Sequence, residues 1–311
     1  MTRARQCFLG LAAVSLSAPA LLAHGAVQRT GGATWWVWTD INPWILLNLG
    51  LLGAGYFVGL RRLRAQRGAE APVNGSQVAA FAAGLAWLFA ALVGPIDVLA
   101  LELQWVHMVQ HMVLMNVAAP LVVLGAPVRT LLWVLPKAWR QRVGRGKRSL
   151  GRRGIPRYLL WQPVLLWAIY AAVLWIWHLP RFYEAALRTG WVHDGQHLMF
   201  FAASCLFWRV MFDPIGRLRM SRAMAVMYLF ATSLHATVLG VFMALAPRLW
   251  YPSYGDTAPA WGLGALEDQQ LAGYIMWMPA CMMYAVVAAV VFARWLGAET
   301  AAARSRPAGA G

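Results

Sequence analysis

Charged residues are scarce in this chain, and acidic ones are the scarcest. Only 12% of the 311 residues are charged, with 11 aspartates and glutamates against 27 lysines and arginines, whereas 60% are hydrophobic. The mean hydropathy is +0.55. So little polar surface excludes a soluble globular protein and indicates an integral membrane protein.

Paired cysteines and the common catalytic motifs are also missing. The three cysteines form no CxxC pair, which excludes a disulfide framework or a cysteine-based zinc site. The sequence contains no phosphate-binding loop, no HExxH, no dinucleotide-binding glycine motif and no nucleophile elbow. We therefore expect a protein that is not an enzyme of any classical type.

The net charge of +16 does not indicate a nucleic-acid partner. Lysine and arginine fall in short blocks between long apolar runs, which is the pattern of topology signals in a membrane protein. The expected partner of the apolar surface is the lipid bilayer.

The apolar runs predict an all-α integral membrane protein with a bundle of seven transmembrane helices. Each run is close to the ~20 residues needed to cross a hydrocarbon core of ~30 Å. Together they form one predicted transmembrane domain, 41–296. The predicted spans are 41–60, 78–99, 107–135, 158–179, 196–212, 223–246 and 271–296. Pro120 and Pro127 predict a kink or a break in the third span.

Both ends of the chain carry other signals. Arg3 and Arg5 precede an apolar run that ends in small residues, so 1–23 is predicted to be a signal peptide or a signal anchor. Residues 24–40 would then be an outer N-terminal segment. Residues 297–311 are predicted to be a disordered cytoplasmic tail.

The distribution of basic residues predicts the orientation. Four alternate connecting segments hold 4, 9, 4 and 3 lysines and arginines, whereas the others hold four in all. The basic segments are Arg61–Arg67, Lys137–Arg157, Arg209–Arg222 and Arg294–Arg306, and the four remaining residues are Arg29, Arg181, Arg188 and Arg248. Because basic loops stay in the cytoplasm, we expect the mature N-terminus outside and the C-terminus inside.

Histidines gather at the predicted outer ends of the helices. His107 and His111 are four residues apart, as are His193 and His197, and His178 lies at the same predicted depth. Two imidazoles four residues apart on a helix share a face and can reach one ion. His235 lies deeper, in a later segment. These six histidines are the predicted ligands of a metal site, with copper as the hypothetical ion.

Polar residues beside the histidines are candidates for orienting the imidazole rings or for capping helices. They are Asp97, Glu102, Asp194, Asp268 and Gln269. Three alternatives stay open at this point. The histidines could fix helix packing only, could hold haem b in an electron carrier, or could belong to a copper permease.

Four motifs in order resemble the membrane-integral CtaG family of cytochrome c oxidase assembly factors. They are His107-Met-Val-Gln-His111-Met-Val-Leu-Met with Ala-Pro-Leu-Val-Val-Leu-Gly-Ala-Pro127, His178-Leu-Pro-Arg-Phe-Tyr-Glu-Ala-Ala-Leu187, His193-Asp-Gly-Gln-His197, and Asp268-Gln-Gln-Leu-Ala-Gly-Tyr-Ile-Met-Trp277. The likeness covers roughly residues 40 to 296. It implies a multi-pass factor of the bacterial plasma membrane, required for active haem–copper oxidase, with oxidase subunits as partners. Five of the histidines, all except His235 among the candidates, match the family motifs.

Overall fold

The computed structural model describes residues 42–68, 71–143, 163–212 and 220–304. All regular secondary structure in these residues is helical. The α-helices are α1 (Pro43–Arg67), α2 (Gly75–Leu92), α3 (Pro95–Ala100), α4 (Gln104–Met112), α5 (Ala119–Leu124), α6 (Pro127–Leu131), α7 (Pro163–His178), α8 (Pro180–Arg188), α9 (Gly190–Phe212), α10 (Arg222–Ala244) and α11 (Ala265–Arg304). Shorter 3-10 turns are Leu132–Val134, Pro252–Tyr254 and Ala258–Trp261.

Polar capping residues set where several of these helices begin. The side chain of Asn42 accepts a hydrogen bond from the Trp44 amide, and Pro43 follows at the first helical position. Asn74 forms a reciprocal capping box with Gln77 at the start of α2. These caps satisfy backbone amides that have no partner within the helix.

The predicted break in the third span is present, with an additional distortion before it. A π-helical turn, Val113–Ala118, joins α4 directly to α5, so the helical path is continuous through Pro120. The chain then turns at Ala126, whose φ of 52° is left-handed, just before Pro127 begins α6. π-helical turns are frequent at functional sites, and this one follows His111 within the same helical path.

The long helices alternate in direction. The starts of some helices and the ends of others therefore lie together at one end of the described bundle. Side-chain hydrogen bonds join the starts of α1, α4, α9 and α11 and the ends of α2 and α10 at that end of the bundle. The Asn42 side chain donates to Asp194, and the Gln110 side chain donates to the Ala91 carbonyl. The Gln104 amide donates to Asp268, and the Gln270 side chain donates to the Ala246 carbonyl. The histidines described below lie at this end.

Small residues let the last two long helices approach closely. A Cβ atom added at Gly273 in α11 would lie 2.4 Å from the Ala244 amide nitrogen of α10. One added at Gly240 would lie 2.9 Å from the Gly273 carbonyl oxygen. Only glycine fits where two helix backbones come this close, and such contacts are common in membrane bundles.

Five described helices are long and apolar enough to cross a membrane, and six if the bent pair α7 and α8 forms one span. These findings describe a multi-pass membrane protein. α9 is 23 residues long but is not among them, because polar residues such as His193, Gln196 and His197 lower its hydropathy. The count of seven spans therefore stays a prediction.

The predictions for the two ends of the chain fall mainly outside the described residues. The predicted signal peptide or anchor, 1–23, and the outer segment, 24–40, lie entirely outside them. α11 continues to Arg304. It therefore includes the first residues of the segment 297–311, for which a tail was predicted.

Candidate metal centre

The first helix of the centre is α4, which carries His107 and His111 on one face. Their ring centroids are 4.3 Å apart, and both side chains are fully buried. The start of α4 is fixed by Asp268, whose carboxylate accepts hydrogen bonds from the Gln104 and Trp105 amides at 2.8 and 3.0 Å. A carboxylate at a helix N-terminus is favourable because it satisfies free amides and interacts with the helix dipole.

α9 brings the second histidine pair against the first. The His193 and His197 rings are 4.2 Å apart. Across the two helices, the His107 ring lies 5.1 Å from that of His193, and the His111 ring lies 5.3 Å from that of His197. The four rings thus form one compact group between α4 and α9.

His178 adds a fifth imidazole from the end of α7. Its ring centroid is 6.3 Å from that of His111, and the side chain is buried. We call these five residues the imidazole cluster: His107, His111, His178, His193 and His197. The structure therefore brings together five of the six histidines that the sequence singles out.

The sixth, His235, lies elsewhere in the bundle. Its ring contacts Trp167 at 5.4 Å and Tyr170 at 6.2 Å between centroids. It is not part of the group of possible ligands that the structure shows among the described residues.

The nitrogen positions in the cluster are suited to one shared ion. One ring nitrogen each from His107, His111 and His197 lie within 4.8 Å of one another. The Nε2 atoms of His107 and His193 are 3.3 Å apart. Two nitrogens bound to one ion at ~2.0 Å with a tetrahedral angle lie roughly 3.3 Å apart. The same distance also fits an N–H···N hydrogen bond between the two rings.

Neutral hydroxyl groups set the orientation of His107. Its Nδ1 atom lies 2.8 Å from the Tyr254 hydroxyl and 3.0 Å from that of Tyr183. Because the Tyr254 hydroxyl donates to the Ala100 carbonyl at 2.9 Å, its oxygen accepts from Nδ1–H of His107. That tautomer leaves the Nε2 lone pair directed into the cluster.

His178 is fixed in the same tautomer by a backbone group. Its Nδ1 donates to the Leu174 carbonyl at 2.7 Å, which leaves Nε2 as the acceptor. Nε2 of His178, Nε2 of His197 and both ring nitrogens of His111 have no hydrogen-bond partner in the described structure. A buried polar atom without a partner costs about 1–3 kcal/mol. A bound cation would remove that cost, so the donor set fits a metal.

The loop between α10 and α11, residues 245–264 (the α10–α11 loop), contacts the cluster and is held by several hydrogen bonds. The Tyr251 hydroxyl donates to the His178 carbonyl at 2.7 Å, and Ser253 donates from both its amide and its hydroxyl to Glu184. Burial raises the pKa of Tyr254 well above its ordinary value. The Tyr254 phenol therefore stays protonated and neutral at the pH of the cell.

Two of the residues predicted to orient the imidazoles contact the α10–α11 loop instead. Glu102 accepts a hydrogen bond from the Trp261 indole at 2.7 Å. Gln269 accepts from the Trp250 amide and donates to the Arg248 carbonyl. Their contacts position the segment that carries Tyr254, and through it they support the cluster indirectly.

The other predicted orienting residues join helices to one another. Asp97 accepts from the Gln110 side chain at 2.7 Å, and Asp194 accepts from Asn42 at 3.1 Å. Asp268 caps α4, as described above. Sequence reasoning did not identify Tyr183 and Tyr254. Tyr183 belongs to the motif that begins at His178, and that motif could have indicated it. Tyr254 is a single tyrosine in the α10–α11 loop, and no sequence pattern indicates its role.

Comparison with known families agrees with the motif resemblance. The family model of the cytochrome c oxidase caa3 assembly factor (Caa3_CtaG) matches residues 54–298, which contain the whole imidazole cluster. The chain belongs to this family. The family is that of an assembly factor for cytochrome c oxidase, which agrees with the lack of a classical catalytic motif.

Curated relatives come from mycobacteria and are longer proteins. The uncharacterized proteins Mb0105 of Mycobacterium bovis and MT0111 of Mycobacterium tuberculosis are each 24% identical over 254 residues. The match covers 79% of this chain and 37% of either relative. The uncharacterized protein ML1998 of Mycobacterium leprae is 24% identical over 258 residues with the same coverage. No solved structure matches the chain significantly.

Proposed function

We propose that this protein binds copper in the imidazole cluster, at the outer face of the bacterial plasma membrane, and passes it to a cytochrome c oxidase subunit during assembly. The observation that supports the proposal most directly is the cluster itself. Five buried imidazoles converge, and several of their nitrogens have no hydrogen-bond partner among the described residues. Histidines are costly to bury within membrane helices and therefore rare there, so they mark functional sites.

The geometry favours an ion over haem as the ligand. Haem with two axial histidines needs ligand nitrogens on opposite sides of the iron, roughly 4 Å apart at ~2.0 Å each. The His107 and His193 Nε2 atoms are closer, at 3.3 Å, and the neighbouring rings pack against each other with centroids 4.2 to 5.9 Å apart. Rings packed at these distances favour one shared ion over a macrocycle placed between α4 and α9.

A permease is the weaker alternative, because three polar side chains farther into the bundle are linked to one another by hydrogen bonds. Tyr170 pairs with Tyr284 at 2.8 Å between hydroxyls, and Tyr284 donates to Asn116 at 2.9 Å. The Asn116 amide in turn donates to the Met112 sulfur at 3.3 Å. Groups saturated in this way act as contacts between helices more readily than as ligands for a passing ion.

The proposal is tested in a deletion strain complemented with variants. We expect loss of the protein to lower the assembled cytochrome c oxidase while other respiratory complexes persist. The variant with both His107→Ala and His111→Ala should fail to restore the oxidase and should purify without copper, because it removes two of three converging ligands. The measurements are oxidase activity and copper content in membranes, and copper content of the purified variant.

His235→Ala is the control outside the cluster, since it removes a half-buried imidazole that lies beside Trp167. It should restore the oxidase. Normal oxidase in the deletion strain would remove the assembly role. Full rescue by the double variant would keep that role and discard the imidazole cluster as its basis.

A further inference from the structure

All the groups that can reach an ion in the cluster are electrically neutral. Within the described residues, neither a carboxylate oxygen nor a cysteine sulfur joins the group formed by His107, His111 and His197. The hydroxyls that contact His107 are those of tyrosines, which are neutral as well. The positive charge of a bound cation is therefore not cancelled by its ligands.

The acidic residues near this end of the bundle have other partners. The Asp268 carboxylate accepts from two backbone amides, and the Glu102 carboxylate accepts from the Trp261 indole. Glu184 accepts from Ser253 and pairs with Arg188 at 2.9 Å. These carboxylates therefore bind groups at the helix ends and in the α10–α11 loop.

The cluster is buried away from water, so an uncompensated charge is costly there. His107 and His111 are completely buried, and the fully buried Phe200 ring lies 4.6 Å from the His111 ring. The cost of moving an ion from water into such a medium rises with the square of its charge. A divalent ion therefore has about four times the desolvation cost of a monovalent ion of the same size.

The number and type of ligands point the same way. Zn(II) sites in proteins have four ligands, and most include thiolates or carboxylates; where three histidines bind Zn(II), the fourth ligand is a water that loses a proton near pH 7. Cu(II) favours a tetragonal set of nitrogen and oxygen ligands. Buried imidazoles that supply no negative charge therefore suit a monovalent ion better than either divalent ion.

From these observations we infer that the imidazole cluster takes a monovalent soft cation, Cu(I), and discriminates against Cu(II) and Zn(II). This inference rests on the proposed copper-binding function and specifies its cargo. The ion is bound in the oxidation state in which it arrives, so no electron transfer is involved.

The first experiment compares cations on the purified full-length protein in detergent. Cu(I) is supplied without oxygen from a chelator buffer of known affinity, and Cu(II) and Zn(II) are titrated in parallel. We expect Cu(I) to bind at least about 100-fold more tightly than either divalent ion, a difference of roughly 2.7 kcal/mol. Equal or tighter binding of Zn(II) or Cu(II) would overturn the inference while leaving a metal site in place.

The second experiment adds one negative charge beside the cluster without changing the side-chain shape. Gln104 and Gln196 are fully buried, and they stand three residues before His107 and three after His193. Their side-chain amide groups have no hydrogen-bond partner among the residues that the structure describes. In Gln104→Glu and Gln196→Glu, we expect the preference for Cu(I) over Zn(II) to fall by about tenfold or more, because a carboxylate offsets the second charge. An unchanged preference in both folded variants would contradict the charge argument.

Gln77→Glu is the matched control for this substitution. Gln77 lies in the capping box at the far end of α2 from Ala91, roughly 21 Å along the helix at ~1.5 Å per residue. Glutamate serves equally well at that position of the box, so the cation preference should stay at the wild-type value. Failure of the wild-type protein to bind any cation would overturn this inference and the copper part of the proposed function, whereas the oxidase test in the deletion strain judges the assembly role separately.

Discussion

At the scale of single residues, a tyrosine hydroxyl is a suitable partner for an imidazole that has to bind a cation within a membrane protein. Tyr254 accepts from His107 Nδ1 and donates to the Ala100 carbonyl, so one neutral group fixes both the ring and its tautomer. A carboxylate in that position would add a buried negative charge when no metal is bound, which is costly in an apolar region. Tyrosine at this position therefore adds no charge to the cluster.

Tyr254→Phe removes this oxygen and leaves the aromatic ring. We expect the copper affinity to fall by roughly 10- to 100-fold, the usual effect of losing a group that orients a ligand. The unfolding free energy should fall by about 1 kcal/mol for each of the two lost hydrogen bonds, those to His107 and to the Ala100 carbonyl. The measurements are chelator competition for the metal and thermal unfolding of the purified variant.

Tyr284→Phe gives the matched control, because Tyr284 is also buried and its hydroxyl also makes two hydrogen bonds, to Asn116 and Tyr170, away from the cluster. It should lose similar stability and keep the wild-type copper affinity. Equal affinities in Tyr254→Phe and Tyr284→Phe would show that Tyr254 acts only on packing.

The histidine positions could be read from the sequence because the spacing of four residues is a local property of a helix. The partners of the imidazoles could not, since Tyr183 and Tyr254 reach His107 across 76 and 147 residues of sequence. For the same reason, composition alone could not reveal that Asp268 bonds backbone amides of α4 or that His235 lies beside Trp167.

At the scale of the elements, α10 and α11 pack through glycine, and this contact supports the end of α11 that carries Asp268. An added Cβ at Gly273 would meet the backbone of Ala244 at 2.4 Å and that of Gly240 at 2.7 Å. Backbone atoms cannot move aside as a side chain can. The two helices would have to separate to accept any larger residue.

Gly273→Ala should therefore destabilise the protein by about 1–3 kcal/mol, the usual cost of overpacking. Gly195→Ala in α9 is the control, because no atom lies within 4 Å of the added Cβ. That substitution should leave stability unchanged or raise it by up to ~1 kcal/mol, since alanine favours a helix. Unfolding in detergent compares the two, and equal stability would contradict the close-packing account.

The helices were predictable from the long apolar runs. Within lipid, a run of ~20 residues can satisfy its own backbone N–H and C=O groups only as a helix. Every predicted span overlaps a described helix, and the all-helical character is confirmed. Helix boundaries were less predictable. α9 begins at Gly190 rather than near residue 196, because its first turns are polar and face the cluster instead of lipid. The bend of 71° between α7 and α8 follows from Pro180, which no hydropathy pattern locates.

At the scale of the whole molecule, the imidazole cluster constrains the path of the chain. Its residues lie in α4, which opens the continuous helical path from Gln104 to Leu124, in the first turns of α9, and at the end of α7. α4 and α9 therefore run in the same direction, and α7 runs opposite to them. The chain has to return across the bundle between His111 and His193, and α7 provides that return.

This arrangement, together with the charge pattern, leads to a topology that reporter fusions can test. The basic stretch Arg61–Arg67 ends α1, away from the cluster, and Arg304 ends α11 on that same far side, as their helix directions require. Basic segments remain in the cytoplasm, so fusions after Arg67 and Arg304 should report the cytoplasm, whereas fusions at Arg188 and Asp256 should report the outside. Each fusion carries a matched reporter that is active only in the opposite compartment, so every site gives a positive signal. An outside signal after Arg67 together with a cytoplasmic signal at Asp256 would place the imidazole cluster on the cytoplasmic side, and copper delivery at the outer face would then be impossible.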